Sequence, residues 1–82
     1  MLQTVRVRVG PTLQQAVGRV YVTLEVSPGL TPKGLRSAVA QQYPELALLL
    51  GSTLVVAEGR VLGETEVVTQ DEVALLHPVA GG

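Results

Sequence analysis

Few side chains in this sequence can do chemistry. There is one histidine, His77, and no cysteine, which removes disulfides, thiol nucleophiles and thiolate metal sites together. His77 sits beside Pro78 with neither a cysteine nor a carboxylate at a catalytic spacing, so it makes no catalytic set. It reads as an exposed residue at the end of a strand. Glu64-Thr65-Glu66 and Asp71-Glu72 are acidic clusters with no further ligand close by in sequence. They read as solvated turn residues and not as a cation site. Gly59 and Gly63 form no phosphate loop, because no strand, glycine-rich loop and helix surround them. Arg6 and Arg8 read as the wet side of a strand.

What remains is the ending His77-Pro78-Val79-Ala80-Gly81-Gly82. Glycine costs backbone entropy to order and has no side chain to pack, so Gly81 and Gly82 add nothing to a core. Two readings stand at this point. One is a frayed terminus, the default for chain ends. The other is a thin strip of backbone able to enter a tunnel too narrow for side chains, with the α-carboxylate of Gly82 as the reacting group. A free carboxylate is a poor electrophile. Adenylation would give it a good leaving group, and a sulfur nucleophile could then displace AMP and leave a thiocarboxylate on Gly82. Pro78 stiffens the exit and cannot donate a ladder hydrogen bond, so it closes the last strand.

Such a tail needs a platform, and the elements follow from the hydrophobic pattern. Residues 4–9, Thr-Val-Arg-Val-Arg-Val, alternate strictly, with Val5, Val7 and Val9 on the buried face. Gly10-Pro11 breaks the strand. Residues 12–17 predict one helical turn, with Thr12 as N-cap and Gly18 as the stop. Residues 19–26 alternate again, with Val20, Val22, Leu24 and Val26 inward, and pair most simply as an antiparallel neighbour of the first strand. Thr31-Pro32 is a helix start. Leu35, Val39 and Tyr43 make an apolar stripe down a helix over 32–43, with Lys33, Arg36, Gln41 and Gln42 left to water. Gly34 weakens this helix slightly, and Pro44 ends it. Residues 44–50 add a short helical piece stopped by Gly51. Residues 54–57 form a short strand that turns at Glu58-Gly59 into Arg60-Val61-Leu62. A polar connection follows, in which Val67 and Val68 dip inward. The last strand runs over 72–77, with Val73 and Leu75 on one face and Ala74 and Leu76 on the other. One sheet with one helix on one face buries a single core. The order strand, strand, helix, strand, short strand, strand predicts an α+β class, β-grasp fold with the first and last strands as parallel neighbours at the sheet centre. The expected organisation is one domain over 1–78 and a flexible Gly-Gly tail over 79–82.

Composition sets the outer bounds. The chain has 82 residues, room for one small domain. Its formal net charge of −1 gives no basic footprint for nucleic acid. No apolar run approaches the ~20 residues of a membrane span. Residues 1–4 run straight into a strand pattern with no signal-peptide pattern, so a cytoplasmic protein is the expectation. Without Phe or Trp, Val and Leu must build the core.

Residues 71–82, Asp-Glu-Val-Ala-Leu-Leu-His-Pro-Val-Ala-Gly-Gly, resemble the ending of the MoaD family, the small subunits of molybdopterin synthase. That ending typically reads Gly-Asp-Glu-Val-Ala, two bulky apolar residues, two prolines, Val, a small residue and Gly-Gly. The resemblance extends over the whole chain in element order and length, and residues 71–82 carry nearly all of its specificity. Three departures are visible. Gln70 replaces the usual glycine, Leu75-Leu76 replace common aromatics, and His77 replaces the first proline. The resemblance implies a ubiquitin-like sulfur carrier. Its terminal glycine, Gly82 here, is adenylated by a MoeB-like activating enzyme at the expense of ATP and converted to a thiocarboxylate, with Gly81 threading the narrow channel. The tail then enters a MoaE-like large subunit, contacting it through Leu76, Pro78, Val79 and Ala80. There it delivers sulfur to precursor Z to make the dithiolene of molybdopterin. A sulfur donor completes the set of partners, and no cofactor, nucleic acid or membrane is implied for this chain itself. Related carriers of the same fold serve thiamine synthesis, tRNA thiolation or cysteine synthesis, or are conjugated to lysines like ubiquitin. A plain β-grasp interaction module with inert glycines is the reading from a different class, and fold cannot separate these.

Overall fold

The computed structural model describes residues 1–78; the expected flexible tail at 79–82 lies outside the described residues. Five strands form one sheet in the order β2-β1-β5-β3-β4. β1 (Gln3–Val9) and β2 (Tyr21–Val26) are an antiparallel pair, with Val5 opposite Leu24 and Val7 opposite Val22. β5 (Glu72–Leu76) lies beside β1 in parallel, with Val73 opposite Val7 and Leu75 opposite Val9. β3 (Leu54–Ala57) runs antiparallel along the other side of β5. β4 (Arg60–Val61) completes the edge. This is the β-grasp fold read from the sequence, with the first and last strands parallel at its middle.

The strict alternation in β1, β2 and β5 puts one face of the sheet into the core. Val5, Val7, Val9, Leu24, Val73 and Leu75 are each at most 2% exposed. α2 (Pro32–Gln42) covers that face with Leu35 and Val39, both fully buried. Its start is the predicted one: Thr31 is N-cap, its Oγ1 accepts from the Gly34 N–H at 3.3 Å, and Pro32 takes the first helical position. Gly34 does more than weaken the helix. A Cβ there would lie 2.8 Å from Cδ1 of Leu30, so the glycine makes room for Leu30 to pack on the helix. A 3₁₀ helix, Pro44–Ser52, follows and buries Leu46 and Leu50. At the β3–β4 turn Glu58 and Gly59 both take positive φ, 52° and 78°, the combination that matches the twist of a tight hairpin.

The structure corrects several expectations. α1 (Pro11–Val17) is capped by Gly10 and not by Thr12. Pro11 lacks an N–H that the first helical residue does not need. Gln14 N–H therefore closes the first turn on the Gly10 carbonyl at 2.8 Å. Gly18 ends α1 as expected. β2 begins at Tyr21, two residues later than the alternation indicated, and Val20 is 44% exposed. β1 stops at Val9, whose N–H reaches the Val20 carbonyl, so Val20 lies where the sheet runs out. In the 63–69 connection only Val68 is buried, its N–H bonded to the Leu30 carbonyl; Val67 faces out. β5 stops at Leu76, not His77.

Arg36 is not left to water. Its side chain is 15% exposed, and it donates to Thr53 Oγ1 at 3.2 Å and to the Thr53 carbonyl at 2.8 Å. It also donates to both carboxylate oxygens of Glu64, at 2.5 and 2.9 Å. This fork ties α2 to the start of β3 and to the loop before β5. Arg60 makes a similar two-oxygen pair with Glu66. The Glu64-Thr65-Glu66 cluster is thus an ion-paired turn, not merely a solvated one.

Candidate functional site

The parallel register of β1 and β5 makes the last strand an interior one. Arg6 N–H donates to the Asp71 carbonyl at 2.8 Å at its start, and Gly10 N–H donates to the Leu75 carbonyl at 3.0 Å at its end. On the other side Leu54, Val55 and Val56 pair with Leu76, Leu75 and Ala74. The chain therefore leaves the sheet from a strand held by β1 as far as Leu75 and by β3 as far as Leu76.

Alternation divides the strand's side chains. Val73 and Leu75 enter the core. Ala74 and Leu76 face the opposite, uncovered side, where Leu76 is 38% exposed. Cross-strand neighbours extend this into an apolar strip. Leu54 lies opposite Leu76, Val56 opposite Ala74, and Val61 opposite Val56. Leu54 and Val56 are half-buried and Val61 is exposed. Leu76 also packs close to backbone: a Cβ at Gly10 would stand 3.3 Å from its Cδ2.

The neighbouring half of the same face is charged. Arg8 lies opposite both Ala74 and Tyr21, and Arg6 opposite Thr23 and Glu72. The Arg6 guanidinium is 3.7 Å from the centroid of the Tyr21 ring, and its Nη1 is 4.0 Å from Glu72 Oε1. A shallow open depression of about 210 Å³, lined by Arg8, Val56, Glu58, Glu72 and Ala74, occupies part of this face. It encloses nothing and is small beside ordinary ligand pockets.

At the root of the tail, Pro78 is exposed and His77 is half-buried. His77 is not the free strand-end residue that the sequence indicated. Its Nε2 lies 2.8 Å from the Leu49 carbonyl oxygen of the 3₁₀ helix. A carbonyl only accepts, so Nε2 carries the proton and donates. Nothing in the sequence pairs residues 49 and 77, and no periodicity could have found this contact. Val79, Ala80, Gly81 and Gly82, the other predicted site residues, lie outside the described residues.

The perturbed carboxylates belong elsewhere. Hydrogen bonds from Arg60, and then from the Gly63 N–H, hold the Glu66 carboxyl at about 2. The Arg36 hydrogen bond lowers that of Glu64. Both are explained by their ion pairs in the 63–66 turn. Among the described residues no group of three or more His, Cys, Asp or Glu could hold a metal ion, and no helix is long and apolar enough to cross a membrane.

With this geometry in place, the model of the ThiS family matches residues 7–82, nearly the whole chain. The chain belongs to the ThiS family. This places it among the ubiquitin-like ThiS/MoaD domains. No curated protein sequence matches the chain. Three solved structures show how widely the ThiS-family fold is shared. Small archaeal modifier protein 1 from Haloferax volcanii superposes with a TM-score of 0.79 at 22% identity, covering 96% of this chain and 99% of its own. A candidate molybdopterin converting factor, subunit 1, from Pyrococcus furiosus gives 0.78 at 16% identity, covering 94% and 99%. A ubiquitin from Caldiarchaeum subterraneum gives 0.64 at 22% identity, covering 100% of both chains. At these identities the likeness speaks for the fold alone.

Proposed function

We propose that this chain is a sulfur carrier that serves as the small subunit of a molybdopterin synthase in molybdenum cofactor biosynthesis. The observation that carries the proposal is the interior, two-sided anchoring of β5, which leads through His77 into Pro78-Val79-Ala80-Gly81-Gly82 in a chain of the ThiS family. A carboxylate at the end of such a strand is delivered from a fixed origin, with only a short segment between platform and reacting group.

The chemistry proceeds in two displacements. A Gly82 carboxylate oxygen attacks the α-phosphorus of ATP on a MoeB-like activating enzyme, and pyrophosphate leaves. The acyl carbon of the resulting adenylate is then attacked by hydrosulfide, sulfur already at the sulfide level, so no reductant is needed. AMP departs with the C–O bonding electrons, leaving a thiocarboxylate. Gly81 lets the tail thread the channel. ATP is bound by the activating enzyme; this chain supplies the carboxylate and the docking surface. In the synthase, the apolar strip of Leu54, Val56, Ala74 and Leu76 would face a MoaE-like large subunit, with Pro78, Val79 and Ala80 continuing the contact into its active site. The Pro78-Val79-Ala80-Gly81-Gly82 ending favours this pathway over thiamine, tRNA or cysteine routes.

A second reading is supported by the fold shared with small archaeal modifier protein 1 and an archaeal ubiquitin: the activated Gly82 acylates lysine amines of other proteins. One experiment separates the two. The purified chain is incubated with ATP, the activating enzyme and a sulfur source, then with the large subunit and precursor Z, and followed by intact mass. The carrier reading expects oxygen replaced by sulfur on this chain, then loss of that sulfur as molybdopterin forms. Isopeptide-linked adducts without sulfur transfer would replace it with the modifier reading. An unchanged mass under all conditions would leave an inert interaction module.

A further inference from the structure

The β5 ladder ends at Leu76: its registers pair with β1 as far as Leu75 and with β3 as far as Leu76. Two residues later stands Pro78, which has no N–H to offer any neighbour. The step between ladder and tail therefore depends on His77. Its Nε2–H donates to the Leu49 carbonyl at 2.8 Å, bridging 28 residues of chain. The acceptor belongs to the 3₁₀ helix, which is anchored by buried Leu46 and Leu50 and is not part of the sheet. Leu49 itself is half-buried and packs against the core. A half-buried ring bonded to a fixed carbonyl loses rotamer freedom, which restrains the Cα of His77 relative to the 3₁₀ helix. The endings that this one resembles commonly have a proline here, which stiffens the backbone through its own ring. This chain has a side-chain tether in that place.

We propose that His77 is a positioning residue: its link to Leu49 pins the root of the tail to the 3₁₀ helix and sets the backbone path from which residues 79–82 continue. The inference rests on the carrier reading for its consequence but not for its structural half.

The test uses the full chain and two variants. His77→Phe keeps a ring of similar size and removes the donor. His77→Gln places an amide N–H where Nε2 stands. Neither touches the ladder or the core. The first readout is the ¹⁵N order parameter of the residue 77 amide, measured on the free chain. It should lie near 0.85 in the natural protein and in His77→Gln, and fall below ~0.6 in His77→Phe. The second is steady-state adenylation by the activating enzyme. His77→Phe should lower kcat by about tenfold or more with KM moved less than twofold, the signature of lost positioning, and His77→Gln should recover most of it. An unaltered order parameter in His77→Phe overturns the tether, whatever the function. A lowered order parameter with unaltered kcat overturns the positioning role. If the natural chain is not adenylated at all, the carrier reading fails and the positioning role with it, while the first readout still decides the tether.

Discussion

Leu75 and Leu76 are identical, adjacent and on the same central strand, yet the structure gives them opposite duties. Leu75 is fully buried; Leu76 is 38% exposed on the uncovered face. Truncating a buried leucine to alanine removes its transfer free energy and leaves a cavity, about 2–5 kcal/mol together. Leu75 is fully buried on a strand paired with β1 on one side and β3 on the other, so about 3 kcal/mol, the middle of that range, is expected for Leu75→Ala. For a domain of this size each 1 kcal/mol moves Tm by about 4–8 °C, so a fall of roughly 12–24 °C is expected. Leu76→Ala forfeits only part of its cross-strand contact with Leu54 and its packing at Gly10, under about 1 kcal/mol. Its Tm should fall by no more than about 4–8 °C. Thermal melts followed by far-UV circular dichroism, paired with urea titrations, give both numbers. Leu76→Glu completes the series. It should hold Tm near that of Leu76→Ala while weakening association with the large subunit by at least ~2 kcal/mol, the scale of a hot spot, in a calorimetric titration. A Leu76→Ala variant as destabilised as Leu75→Ala would mean that Leu76, not Leu75, enters the core, because a one-residue slip of β5 exchanges the two faces.

Two further predictions follow from the charged contacts. Arg36→Ala strips the hydrogen bonds from the carbonyl and hydroxyl of Thr53, which is 3% exposed. It should cost about 2 kcal/mol and roughly 8–16 °C in Tm, whereas Glu64→Gln, at the exposed end of the fork, should cost under about 1 kcal/mol. The Glu66 carboxyl lies below its ordinary 4.5, at about 2, so the stability that it lends is present above 4.5 and drains away as pH falls through that window. Melting temperature should therefore drop between those pH values, less steeply in Glu66→Gln, and the difference should shrink in high salt.

The strands, the main helix and the division of β5 into two faces were legible because period-2 and four-residue spacings report burial directly. Element order alone indicates the parallel pairing of the middle strands, and β1 and β5 are paired that way. The failures share a cause. Val20 continues the alternation of β2, but burial there depends on whether β1 extends far enough to cover it. Arg36 and His77 read as solvent residues because nothing local reveals a partner 17 or 28 residues away. Gly34 looked like a weakness in a helix until the Leu30 side chain was seen against it. Of the site, Leu76 lies on the face opposite the core, as the alternation indicated, and Pro78 is exposed; the roles given to these residues and to Gly81 and Gly82 rest on the sequence resemblance.

That role is open to a direct measurement. Removing Gly82 leaves a carboxylate on Gly81 but withdraws it by about 3.3–3.6 Å. Misplacement by even ~1 Å can cost ~100-fold where a reaction depends on positioning. The full-length chain and the chain lacking Gly82 are each incubated with ATP, the activating enzyme and a sulfur source, with thiocarboxylate quantified by intact mass and Tm recorded on the same samples. Sulfur on the full-length chain only, with Tm equal within a degree or two, is the expected result. Equal thiocarboxylate on both chains would contradict it.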